Sequence, residues 1–334
     1  MKKITALLLI ISLLILTSCG KAEVNNEQEP TAQETTLIRI ASLKGPTSMG
    51  LVNLYSHSDN DELDYDLKYQ IAGSADEITP NLLSGSLDMA AIPANLAAVL
   101  FAKTEGKIGV IAINTYSVLY GLVPSTSDVT SFSDLKGKTI YSTGKGTTPE
   151  FALNYLLEKN GLDPETDVKI EFFTEATEVV STFTQNADKD NCVAILPQPF
   201  ATSAMMQNQD LKTVLSFDEE WTRVSDDSRM VTGVLVVNQE FAKNNPNLVK
   251  KFLADYESSV NATTENVDLT ASLIESYGIV GKAAIAKLAL PKCSITFVTG
   301  KDMKADLSGY LQTLYDQNPA STGGALPDDS FYLG

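Results

Sequence analysis

Short apolar runs of five to seven residues alternate along this chain with amphipathic stretches of ten to twenty. The runs predict strands at 38–43, 88–92, 108–114, 139–143, 169–174, 192–197, 211–217 and 232–238. Helices are expected at 96–105, 150–160, 241–260, 268–277 and 302–315. Near-continuous apolar strands between helices imply an α/β fold with mainly parallel sheets covered on both faces. Thr148-Pro149-Glu150 supplies a cap, a proline in the first turn and an acidic residue, and Asn160-Gly161 closes that helix. Ser74 to Glu77 has capping-box spacing, although Pro80 leaves a start at Thr79 open. Strand, small-residue loop and capped helix occur near 38–55 and again near 139–161, which suggests two similar lobes.

The N-terminus departs from this pattern. Lys2 and Lys3 precede an apolar stretch at 4–16, and Leu16-Thr17-Ser18-Cys19 matches a lipobox. Thirteen residues are too few to span a bilayer, which takes about 20. Residues 1–19 are therefore expected to be a signal peptide, with Cys19 as the lipidated anchor. Residues 20–36 have no aromatics and much Glu, Gln and Asn, and are expected to form a disordered tether. The remaining body of roughly 300 residues exceeds one comfortable core, so two lobes are expected.

The formal charge is −17, about −19 once Lys2 and Lys3 leave with the signal peptide. Such a surface opposes nucleic acid and anionic lipid. Beyond Cys19 only Cys192 and Cys293 remain, both expected as buried thiols. His57 is the single histidine, which excludes multi-histidine metal sites and disfavours histidine-dependent triads. Gly144-Lys145-Gly146-Thr147 and Gly137-Lys138-Thr139 both lack the upstream glycine of a phosphate loop. In the acidic run 59–66, Leu63 and Asp64 stand where a calcium loop needs a ligand and a glycine. No metal or cofactor is expected.

Ligands of open α/β sheets sit at the carboxyl ends of strands, beside helix N-termini. Four loops have that character. Lys44, Gly45, Pro46 and Thr47 follow the first strand; Ser74 lies in the second loop and Asn95 in the third. The fourth contains Thr143, Gly144, Thr147 and Thr148. Gln198, in a Pro-Gln-Pro turn, offers donor and acceptor together. Trp221, the only tryptophan, is a candidate for stacking on a ligand, with core packing as the alternative.

The segments IRIASLKGPTSMGLVNL (38–54), NLLSGSLDMAAIPANLAAVL (81–100), SFSDLKGKTIYSTGKGTTPEFALNYLLEKNGLDP (131–164), VAILPQPFATSAM (193–205) and GVLVVNQEFAKNNPNLVKKFL (233–253) carry a resemblance. Together they resemble a type II periplasmic-binding-protein domain of the nitrate, sulfonate, taurine and thiamine-precursor branch, the SsuA/THI5-like group. The resemblance implies a two-lobed fold with a two-stranded hinge. Crossings near 114–120 and 231–238 would give lobe one as 37–116 plus 238–334, and lobe two as 117–237. It implies that Lys44, Gly45, Pro46, Thr47 and Asn95 face a cleft opposite Thr143, Gly144, Thr147, Thr148 and Gln198, with Tyr116 and Thr232 at the hinge. It further implies a monomeric, lipid-anchored extracytoplasmic receptor of an ABC importer, with a permease and ATPase as partners. The ligand would be a small anion such as a sulfonate or nitrate, or a pyrimidine-like vitamin precursor. A pyrimidine-synthase-like enzyme and a sensor without transport are the alternatives. The missing cysteine-rich motif and the acidic setting of His57 argue for binding without chemistry.

Overall fold

A computed structural model describes residues 36–186, 191–225 and 228–334. The expected signal peptide with Cys19, residues 20–35 of the expected tether, and residues 187–190 and 226–227 lie outside the described residues. Among the described residues, no helix is long and apolar enough to cross a membrane.

Two sheets form the body. The first contains β1 (Leu37–Leu43), β2 (Asp66–Ala72), β3 (Met89–Pro93), β4 (Ile108–Tyr116), β10 (Val231–Asn238) and β11 (Ile295–Val298), in the order β11-β4-β10-β3-β1-β2. The second contains β5 (Leu119–Pro124), β6 (Thr139–Thr143), β7 (Lys169–Phe173), β8 (Cys192–Pro197) and β9 (Leu211–Ser216), in the order β7-β6-β8-β5-β9. The helices are α1 (Pro46–Met49), α2 (Val52–Asp59), α3 (Ala75–Leu83), α4 (Ala94–Lys103), α5 (Thr148–Lys159), α6 (Ala176–Gln185), α7 (Phe200–Gln207), α8 (Phe217–Val224), α9 (Gln239–Asn244), α10 (Pro246–Glu265), α11 (Val267–Ser276), α12 (Ala283–Ala289) and α13 (Gly300–Gln317).

The two sheets share one plan. In the first, β1 pairs in parallel with β2 and β3, and β10 runs antiparallel between β3 and β4. In the second, β6 pairs in parallel with β7 and β8, and β5 runs antiparallel between β8 and β9. Thus β6 repeats β1, and in each sheet a reversed strand arrives by a crossing from the other body; the first sheet has a second reversed strand in β11, at its edge beside β4. The first crossing is Ser117-Val118, and the second joins α8 to β10.

This arrangement moves one expected boundary. Residues 231–237 do not belong with the second sheet: they form the strand between β3 and β4. The apolar run Val234-Leu235-Val236-Val237 is fully buried, which only a central position covered on both faces provides. Its side chains alternate between two cores. Val234 and Val236 join Ile92, Leu307 and Tyr310, whereas Leu235 and Val237 join Ile40, Leu54 and Phe252.

Two helix expectations also change. The stretch 241–260 is two helices, because Pro246 starts a new one and Asn245 leaves the helical region with φ −133°. The ambiguity at Pro80 is settled in favour of Ser74. Glu77 accepts from the backbone N–H of Gly73 and Ser74, at 3.1 and 3.0 Å, and so stabilises the earlier start. Cys192 opens β8 and Cys293 lies two residues before β11, and the two buried cysteines pack in different cores.

Candidate ligand site

A cavity of about 410 Å³ lies where the two sheets face each other across the crossings. The first body supplies Ala75 at the start of α3, Pro93 at the end of β3, Asn95 and Leu96 in the first turn of α4, and Thr232 of β10. The second supplies Leu119, Thr143, Thr147, Thr148, Pro149 and Pro197, and the crossings add Val118 and Met230. None of these side chains is ionisable. Thr148 Oγ1 stands 3.5 Å from Asn95 Oδ1, so α4 and α5 meet over the cavity. Gln317 of α13 also donates from Nε2 to the Phe151 carbonyl of α5, at 3.0 Å.

The loop before α5 is shaped by glycine. Gly144 has φ +79°, and a Cβ there would lie 2.7 Å from Thr147 Oγ1 and 2.8 Å from Pro149 Cγ. Thr147 Oγ1 donates to the Gly144 carbonyl at 2.7 Å, which fixes the turn and presents Thr148 to the cavity.

Three helix N-termini converge here, but they are not equivalent. Glu77 already takes the N–H groups of Gly73 and Ser74 before α3. Glu150 takes the Gly146 N–H before α5. Only α4 starts at the cavity with no acidic residue in its first turn. Of these three termini, α4 is the one whose positive end no acidic side chain of its first turn offsets. The partial positive charge of that terminus remains available to a ligand.

The predicted residues divide accordingly. Asn95, Thr143, Thr147, Thr148 and Thr232 line the cavity. Ser74 caps α3 beside Ala75, and Gly144 shapes the wall without lining it. Lys44 is exposed and outside the lining, its backbone N–H bonded to the Ala72 carbonyl. Gly45, with φ +124°, precedes the four-residue α1, and Pro46 begins it. Thr47 turns back, donating from Oγ1 to the Leu43 carbonyl at 3.0 Å. Gln198 is 1% exposed, with Oε1 accepting from Thr202 Oγ1 at 2.8 Å; its Nε2 has no partner among the described residues.

Stacking of Trp221 on a ligand is corrected to core packing. Its ring is 0% exposed, stands 4.5 Å from Tyr155 and 5.5 Å from Tyr310, and its N–H meets Ser228 Oγ. Tyr116 sits at the first crossing beneath the Arg229 guanidinium, 3.6 Å from the ring centroid. Burial foremost, and then its bond to Asp306, push the Tyr116 hydroxyl pKa up. Burial likewise raises the nearby Asp218 carboxyl against the opposing pull of Arg229. The wall residues missed by sequence reading are all apolar: Leu96, Val118, Leu119, Met230 and the prolines.

A larger surface groove of about 770 Å³ takes residues from α9, α10 and the chain end near Leu333. It lies at the opposite end of the first sheet and takes nothing from the second, so it lacks the two-sided wall of the cavity.

Residues 60–283 match the profile of the family described as ABC transporter, phosphonate, periplasmic substrate-binding protein. The chain belongs to that family. No curated protein matches it in sequence. Solved structures show the same fold. An ABC transporter protein from Parabacteroides distasonis is 21% identical with a TM-score of 0.75, over 90% of this chain and 99% of that one. The aliphatic sulphonate binding protein SsuA of Escherichia coli is 17% identical with a TM-score of 0.69, over 86% and 89%. The alkanesulfonate-binding SsuA of Xanthomonas axonopodis, bound to MOPS, is 15% identical with a TM-score of 0.61, over 89% and 96%. The two-lobed periplasmic-binding-protein fold is thus established, and the chain is an extracytoplasmic substrate-binding protein of an ABC transporter.

Proposed function

We propose that this binding protein is a lipid-anchored receptor that closes its two lobes on a small molecule with an oxyanion head and a short apolar body, of the phosphonate or sulfonate class. The supporting observation is the α4 N-terminus, unblocked by any acid of its own first turn, opening into a cavity of threonines and apolar side chains. Helix N–H groups can hold an oxyanion without a cationic side chain. Thr232 Oγ1 is buried with no partner among the described residues, a deficit that a ligand oxygen would remove. Leu96, Val118, Leu119 and Met230 suit the apolar body. The family description and the sulfonate-binding relatives agree with this class.

A neutral flat heterocycle is the second reading, favoured by the absence of any ionisable side chain in the wall. The receptor acts without chemistry: His57 is 57% exposed, pairs with Glu62 at 3.6 Å, and is not part of the wall. It acts as a monomer whose closed form docks a permease driven by a separate ATPase, and diacylated Cys19 holds it at the membrane.

A thermal-shift screen of alkylphosphonates, alkylsulfonates, nitrate and pyrimidines tests the ligand. A compound at a hundred times its dissociation constant adds about 2.7 kcal/mol of stability. A shift with pyrimidines and none with phosphonates or sulfonates would sink the oxyanion reading. Loss of palmitate incorporation in Cys19→Ser is the expected sign of the anchor; unchanged incorporation removes Cys19 from that role.

A further inference from the structure

One side chain ties together both crossings between the sheets. Arg229 lies in the second crossing, two residues before β10. Its guanidinium stacks on Tyr116, which ends β4 at the first crossing. Its Nη2 donates to Asp218 Oδ2 of α8 at 2.7 Å. Tyr116 in turn donates from its hydroxyl to Asp306 Oδ2 of α13 at 2.5 Å. The result is a continuous path from α13 on the first body, through both crossings, to α8 on the second. Much of it is withdrawn from water. Tyr116 is 4% exposed, and the side chains of Asp218 and Arg229 are 19% and 37% exposed. A planar guanidinium serves this purpose as an ammonium does not, because it stacks on a ring and pairs with a carboxylate at once. The adjoining residues Val118 and Met230 are cavity wall. Any rotation of one sheet against the other must turn the backbone at these crossings, where the stack and the ion pair sit.

We propose that Arg229 is a positioning residue that holds the two crossings at the angle of the closed cleft and so sets the closed fraction of the receptor. This rests on the closing-receptor reading above. Apparent affinity scales with the fraction of protein in the competent form. Arg229 therefore tunes binding without lining the cavity.

The test measures the interlobe distance in ligand-free, full-length protein. Donor and acceptor fluorophores are introduced as non-canonical amino acids at Lys103 and Lys159, both exposed and one on each body. Single-molecule energy transfer then gives the closed-to-open ratio, with circular dichroism melting as the check on folding. Arg229→Met is expected to lower the ratio about tenfold and to weaken any ligand found by the screen to the same degree. Asp306→Asn, which keeps the stack, is expected to lower it by less. An unchanged ratio in folded Arg229→Met overturns the proposal. Should that variant not fold, Tyr116→Leu, which removes the stacked ring, and Asp218→Asn, which removes the ion pair, carry the test, and an unchanged ratio in both overturns the proposal. The screen fails or succeeds separately. A shifted ratio with no oxyanion bound removes the ligand reading alone, and a bound oxyanion with an unshifted ratio removes Arg229 alone.

Discussion

The loops that follow β1 and β6 stand at equivalent places in two sheets of the same plan, yet only one reaches the cavity. Both have a strand, a left-handed glycine, hydroxyl residues and a proline in the first helical turn. After β1 the hydroxyls turn inward. Ser48 Oγ bonds Ser42 Oγ and the Leu43 carbonyl, Ser42 bonds the Tyr55 hydroxyl, and the helix stops after four residues. After β6 the chain continues into a twelve-residue helix and leaves Thr143, Thr147 and Thr148 on the wall. Equivalent position supplies the opportunity for a site. Thr147 bonds its own loop as Thr47 does, so what separates the two loops is the hydroxyls left over after local bonding, Thr143 and Thr148 in the second.

The largest expected effect concerns what supports the second loop. Trp221 packs on Tyr155 of α5, so Trp221→Ala should cost about 3–5 kcal/mol of unfolding free energy in a denaturant titration. Trp221→Phe should lose much less and leave ligand affinity intact; lost affinity in a folded Phe variant would return Trp221 to the site. Next are the two glycines. Gly144→Ala should destabilise by about 1–3 kcal/mol through strain and overpacking and should also weaken binding, because its Cβ would strike Thr147 and Pro149. Gly45→Ala carries backbone strain too, with nothing within 4 Å of the added carbon, so its binding should be unchanged. Calorimetric titration of both variants with the screened ligand tells the loops apart. Equal losses would make them functionally equivalent after all.

Thr148→Val should weaken binding about tenfold, near the 1.4 kcal/mol of one lost hydrogen bond, with little change in melting temperature. Lys44→Ala should leave affinity where it was, and a loss there would restore the β1 loop to the site. The smallest effect concerns pH. Glu220 on α8 accepts from Arg223 and Asn160, and the Arg223 bond foremost holds its carboxyl below the ordinary value. A depressed carboxyl contributes stability above its unfolded value, and that contribution disappears as pH falls through the folded value. Glu220→Gln should therefore flatten the acid side of the stability curve below about pH 4.3, by less than about 1 kcal/mol given the exposure of Arg223. An unaltered curve would show that the clamp on the end of α5 contributes nothing.

Much of this architecture was legible in the chain. The strands 139–143 and 192–197 stand where the apolar runs put them, and the repeat near 38–55 and 139–161 is the shared plan of the sheets. The strand Asp66–Ala72 alternates plainly, but the acidic run that leads straight into it resembles a solvated loop. The strand Leu119–Pro124 was hidden by its glycine and proline, which resemble a connection. The site was half legible. Threonines and Asn95 near helix starts could be found by type. Leu96, Leu119 and Met230 could not, because an apolar side chain facing a cavity looks in sequence like one facing the core. Trp221 and Thr47 show the converse, in that partners from distant segments or from the chain's own carbonyls absorb groups that look free.

The central place of β10 has a consequence for biosynthesis. Every residue of the second sheet, from Leu119 to Ser216, leaves the ribosome before Val231 does. The second sheet can close on itself at that stage, whereas the first waits with β3 and β4 apart until β10 arrives to bridge them. A pause or truncation between those points would release a chain with one finished half and one open sheet, its unpaired edges exposed to other chains.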